Sequence, residues 1–492
     1  MLDRSPGDSR SHIASDWAPA YVIRVNLKAA CLLILILIAA ALGFIASATA
    51  NDEELARQPK SEYRARRQKL MEQVKDGIVV LIGAREDEFG EVGRFRQKND
   101  FMYLSGVETP SAYLMLVPAG LIPGKSAEEV AFIPPRNLFQ ERWTGVQIGP
   151  GPEAEQKFGL QEVAAADKFY ARLFDILSSP PFAGNGPRGQ HSAKVYTLLP
   201  KGSMAQLTRE RQFVDLMHSA APQVQLADVE PYLAEMRKIK SPVEAGLLQK
   251  AIDITAEGQR DARLKIRPGV YEYEVQAALE AAFTRNGSER PGYPSIVGSG
   301  INSTILHYNE NHKQIEAGDT IVVDVGAEYS YYTADITRTY PATGKFTPRQ
   351  REVYQLVLEA QRAAEKAFKP GQMTMSQLLA VAIDVMKTSP LRDKQGNTLD
   401  RYFIHGLGHW LGMDVHDVGD YGKPVPVGAV ITIEPGIYIP DEKLGVRIED
   451  NYLITETGLV KMSAKIPFEA DEIERLMSSG AQAQAGQPSS RK

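Results

Sequence analysis

The chain has 492 residues, 43% apolar and 24% charged, which at roughly 100–200 residues per domain suggests two or three domains. Lys and Arg number 56 against 61 Asp and Glu, a formal net charge of −5, so there is no basic excess to neutralise phosphates and a nucleic-acid partner is not expected. An aromatic share of 8% argues against global disorder, and the single Cys31 excludes an intrachain disulfide framework, a cysteine-based zinc site and a catalytic thiol in the folded body.

Ala29 to Ala46 contains no charged residue, Arg24 and Lys28 precede it, and Ala48-Thr49-Ala50 follows. A positive flank, an apolar run and a small-residue site predict a secretory signal cleaved after Ala50, within a leader spanning 1–50. The alternative is an uncleaved membrane anchor through 29–46, a run just long enough to span. Either way the body is expected to be exported, periplasmic or extracellular. Beyond residue 50 it has no cysteine, which suits an oxidising compartment.

From Asn51 to about Gln73 the chain is polar and helix-prone, and its basic run Arg64-Ala65-Arg66-Arg67 reads as a solvated helix face. Gly77 to Gly83 predicts a buried strand, Tyr113–Val117 and Val130–Ile133 two more, with helical patterns at Lys168–Leu177 and Gln206–Ala220. This is an N-terminal α/β domain over 51–234. Pro180 to Gly189 reads as a loop, and a boundary falls near Arg237 to Lys240.

Ser241-Pro242-Val243-Glu244 combines a capping box with proline at the first helical position and opens a helix to about Lys265. A helix Tyr271–Arg285 and strands Thr320–Ala327 and Tyr332–Tyr340 follow. The order then repeats. Thr347-Pro348-Arg349-Gln350 opens a helix to about Phe368, and Met375–Lys387 continues as a second. Strands are predicted at Ala429–Ile439 and Arg447–Thr455. Helix-helix-strand-strand twice suggests a duplicated domain over 235–475. The Gln/Ala/Gly/Ser-rich tail, 476–492, is expected to be disordered.

Asp324 sits among β-branched residues in Val322-Val323-Asp324-Val325, and Asp335 in Ala334-Asp335-Ile336. Buried carboxylates in strands are costly unless compensated. A hairpin turning about Tyr329-Ser330 places Asp324 directly opposite Asp335, with Cβ atoms ~5 Å apart. Glu434 and Glu449 share this odd spacing around a turn near Asp441-Glu442. Two such pairs in apolar strand sequence demand cations. His307, His405, His409 and His416 all fall in strand-like or Gly-bounded segments. Any one alone reads more simply as a satisfied core residue, but together with four buried carboxylates that reading fails. Four negative charges match two divalent ions, which bridging carboxylates hold ~3.5–4 Å apart, a geometry used for hydrolysis. Oxygen-rich ligation with one imidazole favours Mn²⁺ over structural Zn²⁺, with Co²⁺, Fe²⁺ or Zn²⁺ also able to bind.

His405-Gly406-Leu407-Gly408-His409-Trp410-Leu411-Gly412-Met413-Asp414-Val415-His416-Asp417 resembles the signature of aminopeptidase P and proline dipeptidase. Ile296 to Gly300, Leu306-His307-Tyr308, Asp335 to Thr339, Ile433 to Gly436 and Arg447 to Asp450 match in order. The likeness covers roughly Glu235 to Thr457 and reaches the first domain more loosely through Arg96 to Gly106. It implies an α/β protein whose N-terminal α/β domain precedes a duplicated "pita-bread" metallopeptidase domain with a dinuclear site between its halves.

In that family pattern Asp324 chelates one ion, Asp335 and Glu449 bridge both, and His409 and Glu434 complete the second. A metal-bridged hydroxide attacks the carbonyl of the first residue, and Glu434 shuttles the proton. His416 donates to the oxyanion, and His307 holds or protonates the departing proline end. His405 lines the substrate pocket, and Arg447 pairs with metal-site carboxylates there. The implied substrates are proline-containing peptides, and the implied assembly is a homo-oligomer.

Trp143 resembles a first-domain tryptophan that in this family reaches a neighbouring subunit's active site; the plainer reading is a half-buried tryptophan. Gly298-Ser299-Gly300 reads as a tight turn, since no Walker lysine follows. The leading expectation is an Xaa-Pro aminopeptidase. Proline dipeptidase is the alternative, and methionine aminopeptidase is disfavoured by the large first domain. A catalytically dead peptide-binding module is disfavoured because all five metal ligands are present.

Overall fold

The computed structural model describes residues 56–86, 94–183, 193–201 and 208–485. Two compact units divide the chain, Met1–Asp52 and Glu53–Lys492, and the described residues all belong to the second. The leader 1–50 and its apolar run lie outside them. Among the described residues no helix is long and apolar enough to cross a membrane.

The first half is a six-stranded mixed sheet in the order Glu162–Ala165, Glu128–Ile133, Tyr113–Val117, Gly77–Ile82, Lys194–Thr197, Gln225–Asp228. Its central strand Gly77–Ile82 is buried throughout, which is why it reads as a continuous apolar run. Ile78, Val80 and Ile82 face a cluster with Phe169, Leu173 and Phe213. Val79 and Leu81 face the opposite way, into a cluster that also contains Leu248, Ala251, Tyr332 and Leu411 from the second half. One strand's period-2 alternation therefore supplies both the domain's own core and its attachment to the second half.

Arg66 and Arg67, read from the sequence as part of a solvated face, are buried instead. Arg67 donates to Glu129 Oε2 at 2.7 Å and to the Leu104 and Gly159 carbonyls. Arg66 reaches Gln58 Oε1 and the Tyr103 carbonyl. A charge run has no period that separates exposed arginines from those folded against a sheet.

The second half carries the two helix pairs. Pro242–Lys265 and Pro348–Ala367 each start with proline behind a complete capping box, at Ser241 and Thr347. Glu272–Arg285 and Met375–Thr388 follow them. The four predicted long strands are each broken in two. The first splits into Thr320–Val325 and Ala327–Tyr329, the second into Tyr332–Thr333 and Ile336–Pro341. Val430–Ile433 is parted from Gly436–Ile439, and Leu444–Arg447 from Asp450–Thr455. Every break falls at or within two residues of Asp324, Asp335, Glu434 or Glu449.

The first hairpin is slipped by two residues from the expected register. Asp324 pairs with Thr337, not Asp335, because the turn is centred on Ser330 and Tyr331, both at positive φ. A slip of two preserves the face, so Asp335 still shares Asp324's side of the sheet as a diagonal neighbour. In the second hairpin Gly436 pairs with Arg447, the register expected from Glu434 and Glu449. The helix Ala470–Ala485 runs into the tail that was expected to be disordered. Its Ala and Gln content, which marked it as low-complexity, also favours helix.

The segment between His409 and Asp417 is gripped by residues of the first half and of the connector between the halves. Arg237, in helix Glu230–Lys238, donates to Asp417 Oδ1 and Asp414 Oδ2 at 2.6 Å and to Asp100 Oδ1 at 2.7 Å. Lys240 reaches Asp417 Oδ2 at 3.0 Å, and Asn99 donates to the Met413 carbonyl and to Asp414. Gly412 is required there, since a Cβ at that position would lie 2.0 Å from Asp417 Oδ2. Burial works against the Asp417 charge, but Lys240 and Arg237 hold its carboxyl below the usual range.

Asp417→Ala strands the buried Lys240 and takes from Arg237 one of its three carboxylates, so it is expected to lower stability by ~3–5 kcal/mol, read from urea unfolding. A loss inside the ~0.5 kcal/mol typical of surface changes would show that the network contributes nothing.

Candidate metal centre

The metal-ligand, catalytic and substrate-pocket candidates meet in one cavity of about 640 Å³: Asp324, Asp335, His307, His405, His409, His416, Glu434, Arg447 and Glu449 all line it, whereas Trp143 does not and is exposed rather than half-buried. The strand breaks make this possible, because they turn carboxylates from separate strands toward a common point. Asp335, His409 and Glu449 each place a ligand atom within 4.8 Å of the others. His409 Nε2 lies 3.2 Å from Asp335 Oδ2, 3.6 Å from Glu434 Oε1 and 3.9 Å from Glu449 Oε1. Its Nδ1 bonds the Trp410 carbonyl at 3.0 Å, which fixes the tautomer and leaves Nε2 facing the carboxylates. Gly408 lets this segment lie against the next strand, since a Cβ there would meet the Thr432 carbonyl oxygen at 2.1 Å.

Asp324 is held from two sides. Arg447 Nη2 donates to its Oδ2 at 2.6 Å, and the Tyr293 hydroxyl to its Oδ1 at 2.7 Å. The same hydroxyl reaches Asp335 Oδ1 at 2.5 Å. Burial and the charges of Asp324 and Asp335 push the Tyr293 phenol far above its usual range, so it stays a donor. Thr337 Oγ1 donates to Glu449 Oε2 at 2.7 Å, while Glu449 Oε1 is buried with no hydrogen-bond partner.

The sequence reading did not single out Tyr293, Thr337 or Tyr438. Thr337 stands two positions after Asp335 and Tyr438 four after Glu434, spacings that a face-by-face reading of the strands could have caught. Tyr293, an uncharged aromatic between Pro291 and Pro294, carries no such signal.

The electrostatics show a site short of positive charge. Arg447 is the one Lys or Arg lining the cavity among the described residues. Burial, reinforced by Asp335 and Asp324 and opposed by His409 and Arg447, pushes Glu434 up to about 8. Burial and three neighbouring carboxylates raise Glu449 well above its usual range. Burial disfavours a charged His409, yet its hydrogen bond to Asp335 and the charges of Asp335 and Glu434 raise it to about 9. A proton on His409 thus stands where a cation is wanted. An orphaned carboxylate oxygen, an oriented imidazole and an oxygen-rich donor set fit a hard or borderline divalent ion.

The other histidines differ. Burial and then Arg447 pull His405 down to about 4, and its Nε2 lies 2.8 Å from the Tyr438 hydroxyl. Burial and His409 lower His416, whose ring meets the His409 ring edge to face at 4.4 Å. His405 and His416 are therefore neutral near pH ~7, able to donate or accept a proton on the cavity wall.

Residues 246–456 match the model of metallopeptidase family M24, and residues 63–181 match the aminopeptidase P N-terminal domain. The chain is 35% identical to the Xaa-Pro aminopeptidase of Escherichia coli (strain K12), covering 86% of this chain and 98% of that protein. The chain belongs to the aminopeptidase P family. It is also 30% identical to human Xaa-Pro aminopeptidase 3, over 85% of this chain and 86% of the relative. The solved aminopeptidase P from E. coli with the inhibitor Pro-Leu superposes with a TM-score of 0.75 at 32% identity, over 86% of this chain and 99% of that one. The Yersinia pestis proline aminopeptidase P II structure gives 0.72 at 33% identity, over 86% and 100%. The fold is thus an N-terminal α/β domain followed by the family's pita-bread domain, and every residue lining the cavity lies within the stretch that matches the metallopeptidase model.

Ligation needs His409 neutral and Glu434 and Glu449 ionised, so each gives up a proton: His409 stands at about 9 and Glu434 at about 8 without metal, and Glu449 is raised well above its usual range. Uptake of a divalent ion is therefore expected to release protons, with apparent affinity rising between pH ~6 and ~8 and levelling above both values. Isothermal titration in buffers of different ionisation enthalpy measures the count. Equal affinity at the two ends of that range would contradict the assignment.

Proposed function

We propose that this enzyme removes the first residue from peptides with proline in second position, using two divalent ions, most simply Mn²⁺. The observation that carries this reading is the convergence of Asp335, His409 and Glu449 on one point, with Asp324 and Glu434 on the same cavity wall. Hydrolase chemistry at a metal site is the property of its family; the ion count, the ion's identity and the residue roles are the finer proposal.

Asp324 and Asp335 would hold one ion, His409 and Glu434 the other, with Asp335 and Glu449 shared. Bound there, the ions supply Lewis acidity and make water a nucleophile at neutral pH. The remaining work falls to the chain. Glu434, beside His409 and within 4.0 Å of His405, accepts and passes on the proton. Neutral His416 donates a hydrogen bond to the oxyanion that develops on the scissile carbonyl. His307, on the same wall, holds the departing proline end, and His405, tied to Tyr438 and through it to Arg447, shapes the substrate pocket.

Export is the reading that the charge-free run 29–46, with Ala48-Thr49-Ala50 after it, supports best. A homo-oligomer has support in Leu138, Phe139, Trp143 and Val146, all at least 70% exposed within one short segment.

Metal-stripped protein is expected to be inactive on an Xaa-Pro-Xaa peptide and to recover with Mn²⁺, with slower turnover of an Xaa-Pro dipeptide. Activity that survives exhaustive chelation would remove the metal mechanism, and a preference for the dipeptide would favour a proline dipeptidase.

His416→Ala is expected to lower turnover by about 10²–10³ with little change in KM, since the interaction it removes forms only in the transition state. His409→Ala strips a ligand, so excess Mn²⁺ should restore part of its loss and none of that in His416→Ala. Equal rescue of the two would mean that their roles have been misassigned.

A further inference from the structure

Each half of the duplicated domain buries one glutamine behind the metal centre. Gln259, 1% exposed, lies in helix Pro242–Lys265, and Gln361, 0% exposed, in helix Pro348–Ala367. Gln259 stands as far from the end of its helix at Lys265 as Gln361 does from Ala367. Neither touches the cavity.

What they touch is the backbone beside the ligands. Gln259 Nε2 donates to the Val323 carbonyl at 3.1 Å and to the Ile336 carbonyl at 2.9 Å. Val323 precedes Asp324, and Ile336 follows Asp335. Gln361 Nε2 lies 3.1 Å from the Ile433 carbonyl, 3.1 Å from Asp450 Oδ2 and 3.4 Å from the Ile448 carbonyl. Ile433 precedes Glu434, and Ile448 precedes Glu449. One amide group in each half therefore bridges the two segments that carry that half's two carboxylates.

We propose that Gln259 and Gln361 are positioning residues that set the spacing of the four carboxylates, one pair each. The broken strands are the physical reason. Turning a carboxylate out of a sheet interrupts the ladder, and a donor from outside the sheet can then hold carbonyls at or near the break, those of Ile336, Ile433 and Ile448 among them. A primary amide has two N–H groups on one rigid plane, so it satisfies two carbonyls and fixes their separation. It does so without adding charge, where a lysine or arginine would compete with the ion for the carboxylates. Tyr340 orients Gln259 by donating to its Oε1 at 3.0 Å. On the other side Asp450, itself bonded to Arg338 and Ser463, fixes the Gln361 amide.

This inference rests on the reading that the cavity binds two divalent ions, and its test is a binding measurement. Gln259→Met and Gln361→Met keep side-chain length and volume but donate nothing. Metal-free wild type and both variants are titrated with Mn²⁺ in a calorimeter, and their metal-free melting temperatures are recorded. Gln259→Met is expected to weaken the ion held through Asp324 by about tenfold or more, and Gln361→Met the ion held through Glu434, the loss typical of groups that orient metal ligands. KM for an Xaa-Pro-Xaa peptide at saturating metal should stay near the wild-type value.

If the Met variants do not fold, Gln259→Asn and Gln361→Asn keep an amide too short to reach both segments and should show the same loss. Folded variants that melt earlier yet bind both ions as tightly as wild type would overturn the proposal, leaving the glutamines a role in stability alone. Wild type that takes up no Mn²⁺ would instead refute the metal reading before any variant is compared, and this inference would fall with it.

Discussion

Four carboxylates share one buried cavity, and much of the catalytic half is arranged around that fact. Two like charges ~5 Å apart repel by about 3 kcal/mol even at an effective dielectric near 20. Asp324, Asp335, Glu434 and Glu449 stay together because burial and that repulsion raise Glu434 and Glu449 toward their protonated forms and because donors surround the set: Tyr293 on the two aspartates, Arg447 on Asp324, Thr337 on Glu449. The protonated His409 completes that set in the absence of metal. An unpaired oxygen on Glu449 is the residue of demand that these groups leave.

Holding such a set requires breaking the sheets that carry it. Continuous strands would satisfy their backbone but point the side chains by simple alternation, and alternation cannot bring ligands from four segments to one point. Each segment is interrupted near its ligand, and side-chain amides from outside the sheet donate to backbone carbonyls near the break. The same logic extends to the His409–Asp417 segment, which belongs to no strand. Its shape depends on Arg237, Lys240, Asp100 and Asn99, residues of the first half and the connector. The N-terminal domain is thus part of what gives the imidazoles their positions, while one face of its sheet keeps a hydrophobic cluster of its own.

Much of this was legible in the sequence. The helices opened by Ser241 and Thr347 appear where their capping boxes place them, since a cap is a local arrangement encoded within four residues. The buried strand Gly77–Ile82 was visible from its composition, and the candidate ligands from carboxylates in apolar surroundings. The hairpin register was right at Glu434 and Glu449 and slipped by two at Asp324 and Asp335, because residues without glycine or asparagine took the positive-φ turn.

What the sequence by itself determined is therefore the local and the chemical: where helices begin, which stretches are buried, which side chains offer metal-ligating atoms. Those depend on neighbours along the chain and on the cost of burying charge. Only the tertiary structure decided where each strand breaks, that Arg66 and Arg67 are buried rather than solvated, and that Tyr293, Gln259 and Gln361 serve the site. Each of these rests on partners tens to hundreds of residues away. An uncharged tyrosine or glutamine acquires its role only when folding brings a carboxylate or an unpaired carbonyl to it.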